Sequence, residues 1–132
     1  MPVPRGDRVL DLVHGIEWRR CALGQKWTAT ECAGTPMGLA LADVPAMIRV
    51  VDPRGRDGWR LPTRDEFKAL GCVGCRGGAT GLMPGLPASS FWTAEANATV
   101  PGRHWSIDLK TLRTFGRNEP SRRLHVILVR DR

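Results

Sequence analysis

Apolar and polar residues alternate near the start of the chain, which is the pattern of a β-strand with one buried face. Residues 16–19 alternate in this way, and the largely apolar stretch at residues 9–13 is also typical of a strand. Between them, His14 and Gly15 favour a tight turn that reverses the chain. We therefore expect the chain to begin with a β-hairpin.

Three further strand-like stretches lie towards the end of the chain, at residues 91–95, 104–109 and 124–130. The second alternates strictly, so Trp105 and Ile107 fall on one side of the strand. In the third, apolar residues occupy both faces. This pattern favours a central strand that is buried on both sides.

The middle of the chain has the spacing of an amphipathic helix. Four apolar residues follow the i, i+3, i+4, i+7 rule and therefore share one helical face. Asp43 precedes them and is a candidate N-cap. Leu39 and Leu41 fit either a backward extension of this helix or an entering strand. The four apolar residues are Val44, Met47, Ile48 and Val51.

A second, shorter helix is predicted from its own start and stop signals. Pro62 favours an extended conformation at Leu61, which prevents a preceding helix from continuing. Thr63 is a good N-cap, and Glu66 three residues later completes a capping box. Gly71 is a typical helix stop, because glycine adopts left-handed backbone geometry at little cost.

The corner before this helix reads Trp59, Arg60, Leu61, Pro62 and Thr63, and its indole is large enough to anchor a core. This run resembles the signature of the bacterial Lcl-like C-terminal domain family, which ends collagen-like adhesins and many surface proteins. The resemblance implies a C-type-lectin-like α+β fold, related to that of formylglycine-generating enzymes. Two short helices would pack on a twisted, mainly antiparallel sheet with long irregular loops, in one domain over residues 1–132.

The resemblance covers roughly residues 9–130 and includes a Cys-Leu-Gly-Gln-x-Trp type segment. Here that segment runs from Cys21 to Trp27, and Cys32 follows it. In the family this loop is closed by a disulfide, which implies a Cys21–Cys32 bridge. Ten intervening residues would make the bridge worth about 3 kcal/mol in the chain-entropy model. Two reduced cysteines in a cytosolic chain are the alternative.

Cys72 and Cys75 are open to three interpretations. A redox motif needs a helix that starts at the first cysteine, whereas this pair follows a predicted helix. A zinc site with Cys21 and Cys32 would supply four thiolates, but the spacing of those two is not that of a zinc knuckle. A second structural disulfide is the interpretation that we favour.

Composition and charge limit the classes of function and the locations that fit this chain. The chain has 132 residues, 42% of them hydrophobic, which suits one domain with a real core. No apolar run has the length of a membrane span, and no signal peptide is visible because Pro2, Pro4 and Arg5 interrupt the start. With the resemblance, we expect an extracellular, periplasmic or cell-surface location. The net charge of +7 implies attraction to polyanions.

The positive charge is concentrated late in the chain. Residues 103–132 contain eight Lys or Arg and three Asp or Glu, an excess of five. In C-type-lectin-like folds this region carries the ligand surface, so the resemblance implies that guanidinium groups bind an anionic polysaccharide. A solvated basic face is the alternative. The candidate ligand-binding residues are Arg103, Lys110, Arg113, Arg117, Arg122 and Arg123.

Catalytic and metal-binding signals are weak. Asn118, Glu119 and Pro120 have the letters of a calcium-lectin loop in the wrong order, and the catalytic cysteine motif of the formylglycine-generating relatives has no match. His125 lies in an apolar stretch and is interpreted as structural. We expect no metal, no cofactor and no enzyme activity.

Other functions compete with glycan binding. A protein-interaction or oligomeric display domain would place specificity in loop shape, and the trimeric adhesin relatives are compatible with a homotrimer. Nucleic acid would bind only nonspecifically, because no recognised reading motif is present. A thiol-redox enzyme would depend on Cys72 and Cys75.

Overall fold

The computed structural model of the protein describes residues 2–73 and 79–132. Within these residues the chain forms short strands, two α-helices of about two turns and a helical turn. The strands are β1 (Val3–Arg5), β2 (Arg8–Asp11), β3 (Ile16–Arg19), β4 (Lys26–Trp27), β5 (Cys32–Ala33), β6 (Ser90–Ala96), β7 (His104–Asp108), β8 (Thr114–Asn118) and β9 (Val129–Asp131). The helices are α1 (Val44–Val51), α2 (Arg64–Leu70) and α3 (Ala79–Leu82), with a 3-10 turn at Leu41–Asp43.

Within the described residues the strands pair into three antiparallel sheets. Their orders are β1-β2-β3-β9, β4-β5 and β6-β7-β8. The α+β class is confirmed. No helix in the described part of the chain has the length and apolar character needed to cross a membrane.

The predicted N-terminal hairpin is present, but its first strand ends earlier than expected. β2 stops at Asp11, and Leu12 and Val13 are exposed in the turn. The reason is local: the buried Asp11 carboxylate accepts the backbone N–H of His14 at 3.0 Å and contacts His14 Nδ1 at 2.7 Å. These hydrogen bonds from the Asp11 side chain form a local turn, and this turn competes with further strand pairing.

Both predicted α-helices form where the sequence places them. α2 has the full capping box, and its C-cap Gly71 has φ = 92°. At α1, Asp43 occupies the N-cap position, but its side chain makes no capping hydrogen bond. A 3-10 turn enters this helix directly, so Asp43 has helical backbone angles in place of the extended ones that a capping side chain needs. Leu41 starts that turn, whereas Leu39 forms a bridge with Leu124.

Residues 124–129 run through the centre of the molecule. The predicted burial on both faces is confirmed, since Val126, Ile127, Leu128 and Val129 have no exposed surface. The predicted regular strand at residues 124–130 is wrong for its first five residues, because only Val129 and Arg130 of that stretch belong to β9. Its backbone instead bonds in turn to residues 39, 90, 92, 23, 19 and 60, so no single partner strand runs alongside.

Alternation along this central segment divides the core in two. Ile127 and Val129 pack in a cluster with Phe67 of α2, whereas Val126 and Leu128 pack in a second cluster. The second cluster contains Trp59 and Trp92 and is covered by the apolar face of α1. Each helix therefore covers its own cluster, and residues 124–129 join them.

Candidate functional site

One carboxylate organises the corner that precedes α2. Glu66 accepts two hydrogen bonds from the Arg60 guanidinium, both at 2.8 Å, and one from the Thr63 backbone N–H at 2.8 Å. Thr63 Oγ1 accepts the Glu66 backbone N–H at 3.1 Å. Arg60 also contacts Asp131 at 2.9 Å. The corner is thus tied to both the helix start and β9.

The charges of this corner are mutually stabilised. Burial raises the pKa of Glu66, but the hydrogen bonds from Arg60 and Thr63 outweigh it, so the pKa lies below its usual value. Hydrogen bonding to Glu66, opposed by burial and supported by Asp131, raises the pKa of Arg60. Both groups are therefore charged across the ordinary pH range, and their bidentate geometry is that of a strong ion pair.

The indole of Trp59 is buried, as predicted, and three guanidinium groups lie over it. The Cζ atoms of Arg8, Arg19 and Arg130 are 4.9, 5.4 and 4.9 Å from the ring centroid. Glu17 lies within 3.6 Å of Arg8 and 3.0 Å of Arg130 and offsets part of their charge. These distances are those of cation–π contacts, so Trp59 supports a layer of arginines. Leu61 and Pro62 complete the corner, and Pro62 O accepts a bond from the backbone of β6.

The late basic residues do not form one cluster. Lys110 and Arg113 lie at the turn between β7 and β8, whereas Arg103, Arg117 and Arg122 lie at the other end of that hairpin. Because β7 has five residues, about 13 Å separates the two ends. This is longer than the screening length of about 8 Å at physiological salt. The two groups of charge therefore act largely independently. Arg123 is exposed beside Gly38.

A shallow depression of about 340 Å³ lies at the end of the hairpin that carries Arg103, Arg117 and Arg122. Phe115 and Arg117 alternate with buried residues along β8 and so share its solvent face. Half of the Phe115 surface is exposed. Arg122 lines the same depression together with Glu119 and Ser121, and Arg103 at its edge is 3.7 Å from Glu119. We call Phe115, Arg117, Asn118 and Arg122 the basic depression.

A buried asparagine holds the basic depression in place. Asn118 Nδ2 donates to Ser106 Oγ at 2.8 Å and to backbone carbonyls of His104 and Phe115 at 3.0 and 2.9 Å. Its Oδ1 accepts from Arg122 at 2.7 Å. The interior of the hairpin thus fixes one of the surface guanidinium groups.

The sequence analysis did not predict Phe115 as a site residue, although the alternation along this strand indicates that its side chain is exposed. The run from Thr114 to Asn118 alternates, and Phe115 shares its phase with Arg117. An aromatic residue in phase with an arginine points to the polar face of a strand. The tryptophans do not offer such an exposed face: Trp59 and Trp92 are buried, Trp27 is partly buried, and the partly buried Trp105 lies under Arg64 at 4.0 Å.

The predicted Cys21–Cys32 disulfide is present. It consumes two of the four thiolates that a shared zinc site would need, which excludes that interpretation. Cys72 is buried, and Cys75 lies outside the described residues, so their pairing and the thiol-redox alternative stay untested predictions. Across residues 2–73 and 79–132, no group of three or more His, Cys, Asp or Glu is arranged to hold a metal.

His125 has the structural environment that the sequence predicted. Its Nδ1 lies 2.6 Å from Ser89 Oγ, and its ring packs on Phe91 with centroids 5.7 Å apart. Burial lowers the pKa of His125. No carboxylate among the described residues contacts this pair in the way that a Ser-His-Asp triad requires.

The comparison with family models assigns the chain to a family. The model of the Lcl C-terminal domain matches residues 7–130, nearly the whole chain. The chain belongs to the Lcl C-terminal domain family. Searches of curated proteins and of solved structures each found no match. Membership of the Lcl C-terminal domain family indicates a surface or binding module and leaves the ligand open.

Proposed function

We propose that this Lcl C-terminal domain is a non-enzymatic, secreted or surface module that binds an anionic glycan through the basic depression. The observation that carries the proposal is the exposed ring of Phe115 beside the guanidinium groups of Arg117 and Arg122. An aromatic face stacks on the apolar face of a sugar ring, and guanidinium groups bind sulfate or carboxylate bidentately. The Cys21–Cys32 disulfide supports an oxidising compartment outside the cytosol.

The separation of the late basic residues refines the sequence prediction. Lys110 and Arg113 lie at the far end of the hairpin, where no exposed aromatic side chain accompanies them among the described residues. We therefore assign ligand contact to Arg117 and Arg122, with Arg103 at the edge. Lys110, Arg113 and Arg123 contribute only to the general positive field.

Heparin chromatography with a salt gradient tests the assignment. The variant Arg117→Ser/Arg122→Ser should elute at clearly lower salt than the wild type, because two guanidinium contacts to sulfate or carboxylate groups of heparin are lost. Lys110→Ser/Arg113→Ser removes the same charge from the other end of the hairpin and should shift elution by less than half as much. Phe115→Ser, which changes no charge, should also lower the elution salt.

Equal shifts for the two double variants would show that binding follows net charge alone, and would reject the basic depression as a site. Unchanged elution of all three variants would reject the glycan proposal and favour a protein-interaction domain. Circular dichroism of each variant checks that the fold is kept.

A further inference from the structure

A second concavity, of about 370 Å³, lies between the Cys21–Cys32 loop and α1. It shares no lining residue with the basic depression. Its volume falls in the range of small-molecule sites, about 300–1,000 Å³. One wall is basic and the other is apolar, and we call it the loop–helix pocket.

The basic wall consists of Arg19, Arg20 and Lys26, against a single acidic residue, Asp7. Asp7 is already engaged by Arg8 at 2.8 Å. Within the described residues, no carboxylate lies within 4.0 Å of the Arg19 or Arg20 guanidinium. The wall therefore carries a net positive charge, since its three cations face one carboxylate that is shared with Arg8.

The two arginines of this wall are held by the fold. Arg20 donates to the carbonyls of Leu82 and Gly6 at 2.6 and 2.9 Å, and its Cζ lies 3.7 Å from the Trp27 ring centroid. Arg19 is half-buried over Trp59. Burial, with repulsion from Arg8, lowers the pKa of Arg19, and attraction from Asp7 offsets part of this shift. An anion in the pocket would relieve this unfavourable charge without rearranging the side chains.

The apolar wall comes from the C-terminal half of α1. Met47, Val50 and Val51 line it, and 68% of the Val50 surface is exposed. One exposed apolar side chain is ordinary. Val50 and the partly buried Met47 and Val51 face three cations across a concave site. The pocket is therefore amphipathic, and a polar sugar would leave its apolar half unused.

We propose that the loop–helix pocket binds a small organic carboxylate with an aliphatic chain. The carboxylate lies against Arg19 and Lys26, and the chain lies along Met47, Val50 and Val51. This binding is independent of glycan recognition at the basic depression.

Octanoate is the probe, titrated below its micelle concentration and followed by amide chemical shifts in nuclear magnetic resonance. Acetate supplies the charge without the chain, and hexanol supplies the chain without the charge. Octanoate should bind at least tenfold more tightly than either, with the largest shifts at residues 19–27 and 47–51. Affinity no better than that of acetate or hexanol would overturn the proposal.

A matched pair of variants locates the site. Lys26→Gln/Val50→Ser changes two exposed pocket residues and should weaken octanoate binding at least tenfold. Lys68→Gln/Val13→Ser makes the same changes at exposed positions elsewhere and should leave the affinity within twofold. Equal weakening in both variants would reject the assignment. The salt concentration at which each of these two variants elutes from heparin is also compared. Equal elution shows that the pocket variant keeps its glycan binding, so a loss of octanoate binding is then separate from the glycan proposal.

Discussion

Replacing Glu66 by alanine is expected to destabilise the protein by about 2–3 kcal/mol. The substitution removes three hydrogen bonds at once, two from Arg60 and one from the Thr63 backbone. The Thr63 bond is half of a capping box, and loss of such a cap costs about 1 kcal/mol. Hydrogen bonds to a charged group contribute about 1.5–3 kcal/mol.

Solvent limits the effect of the lost charge. The Arg60 side chain is 33% exposed and keeps its contact with Asp131, so it is not left as a fully buried, unpaired charge. For this reason the expected cost stays below the 3–5 kcal/mol or so of breaking a buried ion pair. Glu66→Gln keeps an acceptor for Thr63 and should cost about 1–2 kcal/mol.

The dependence on pH separates charge from packing. Because the folded-state pKa of Glu66 is lowered, its stabilisation is complete above the unfolded-state value of about 4.5 and is lost as pH falls through the folded value. The difference in unfolding free energy between the wild type and Glu66→Gln should therefore be largest near neutral pH and shrink towards pH 3.

Urea unfolding followed by circular dichroism, at pH 7 and at pH 3, measures these differences. Asp65→Ala is the control, since it removes an exposed carboxylate from the same helical turn and should cost only about 0.3–1 kcal/mol. A Glu66→Ala cost at pH 7 no larger than that of Asp65→Ala would refute the role given to the corner. So would a wild-type advantage over Glu66→Gln that stays constant down to pH 3.

Three other perturbations have calculable outcomes in the same urea assay. Gly24→Ala should cost about 2–4 kcal/mol, because φ is +95° and the new Cβ would lie 2.6 Å from a backbone oxygen. The control Gly55→Ala, at φ +64° in open space, should cost about 1 kcal/mol. Equal costs for the two variants would contradict the predicted clash at Gly24. Cys21→Ser/Cys32→Ser should lose about 3 kcal/mol, given a separation of 11 residues; no loss would show that the loop closes without the bridge. Since burial lowers the pKa of His125, stability should fall as pH drops through about 6.5, and a His125→Gln variant with the same slope would exclude this cause.

Local sequence signals predicted the parts of the fold that depend on short chain separation. The capping box at Thr63 and Glu66 is a three-residue relation, and the apolar face of α1 is an eight-residue one. Such relations are visible in a sequence because the chain itself sets the geometry. The Cys21–Cys32 bridge needed the family resemblance, since cysteine spacing alone allows other pairings.

Relations over longer distances were predicted less well. The apolar run at residues 124–129 was correctly expected to be buried on both faces, but its backbone partners come from four separate parts of the chain. The late arginines are close in sequence, yet the β7–β8 hairpin separates them by its whole length. The loop–helix pocket joins residues 19–27 with residues 47–51, and neither stretch alone indicates a site.

The corner at residues 59–63 has unequal consequences for the two candidate sites. Trp59 supports the guanidinium of Arg19, and Arg19 lines the loop–helix pocket, so a change in the corner alters that pocket directly. The basic depression instead depends on Asn118 and on the solvent face of β8, where Phe115 and Arg117 can be replaced without disturbing a buried contact of the corner. Because surface positions on a fixed hairpin tolerate substitution more readily than core positions, side chains of the basic depression can change while the corner stays the same, and under the proposed function such changes would alter the ligand.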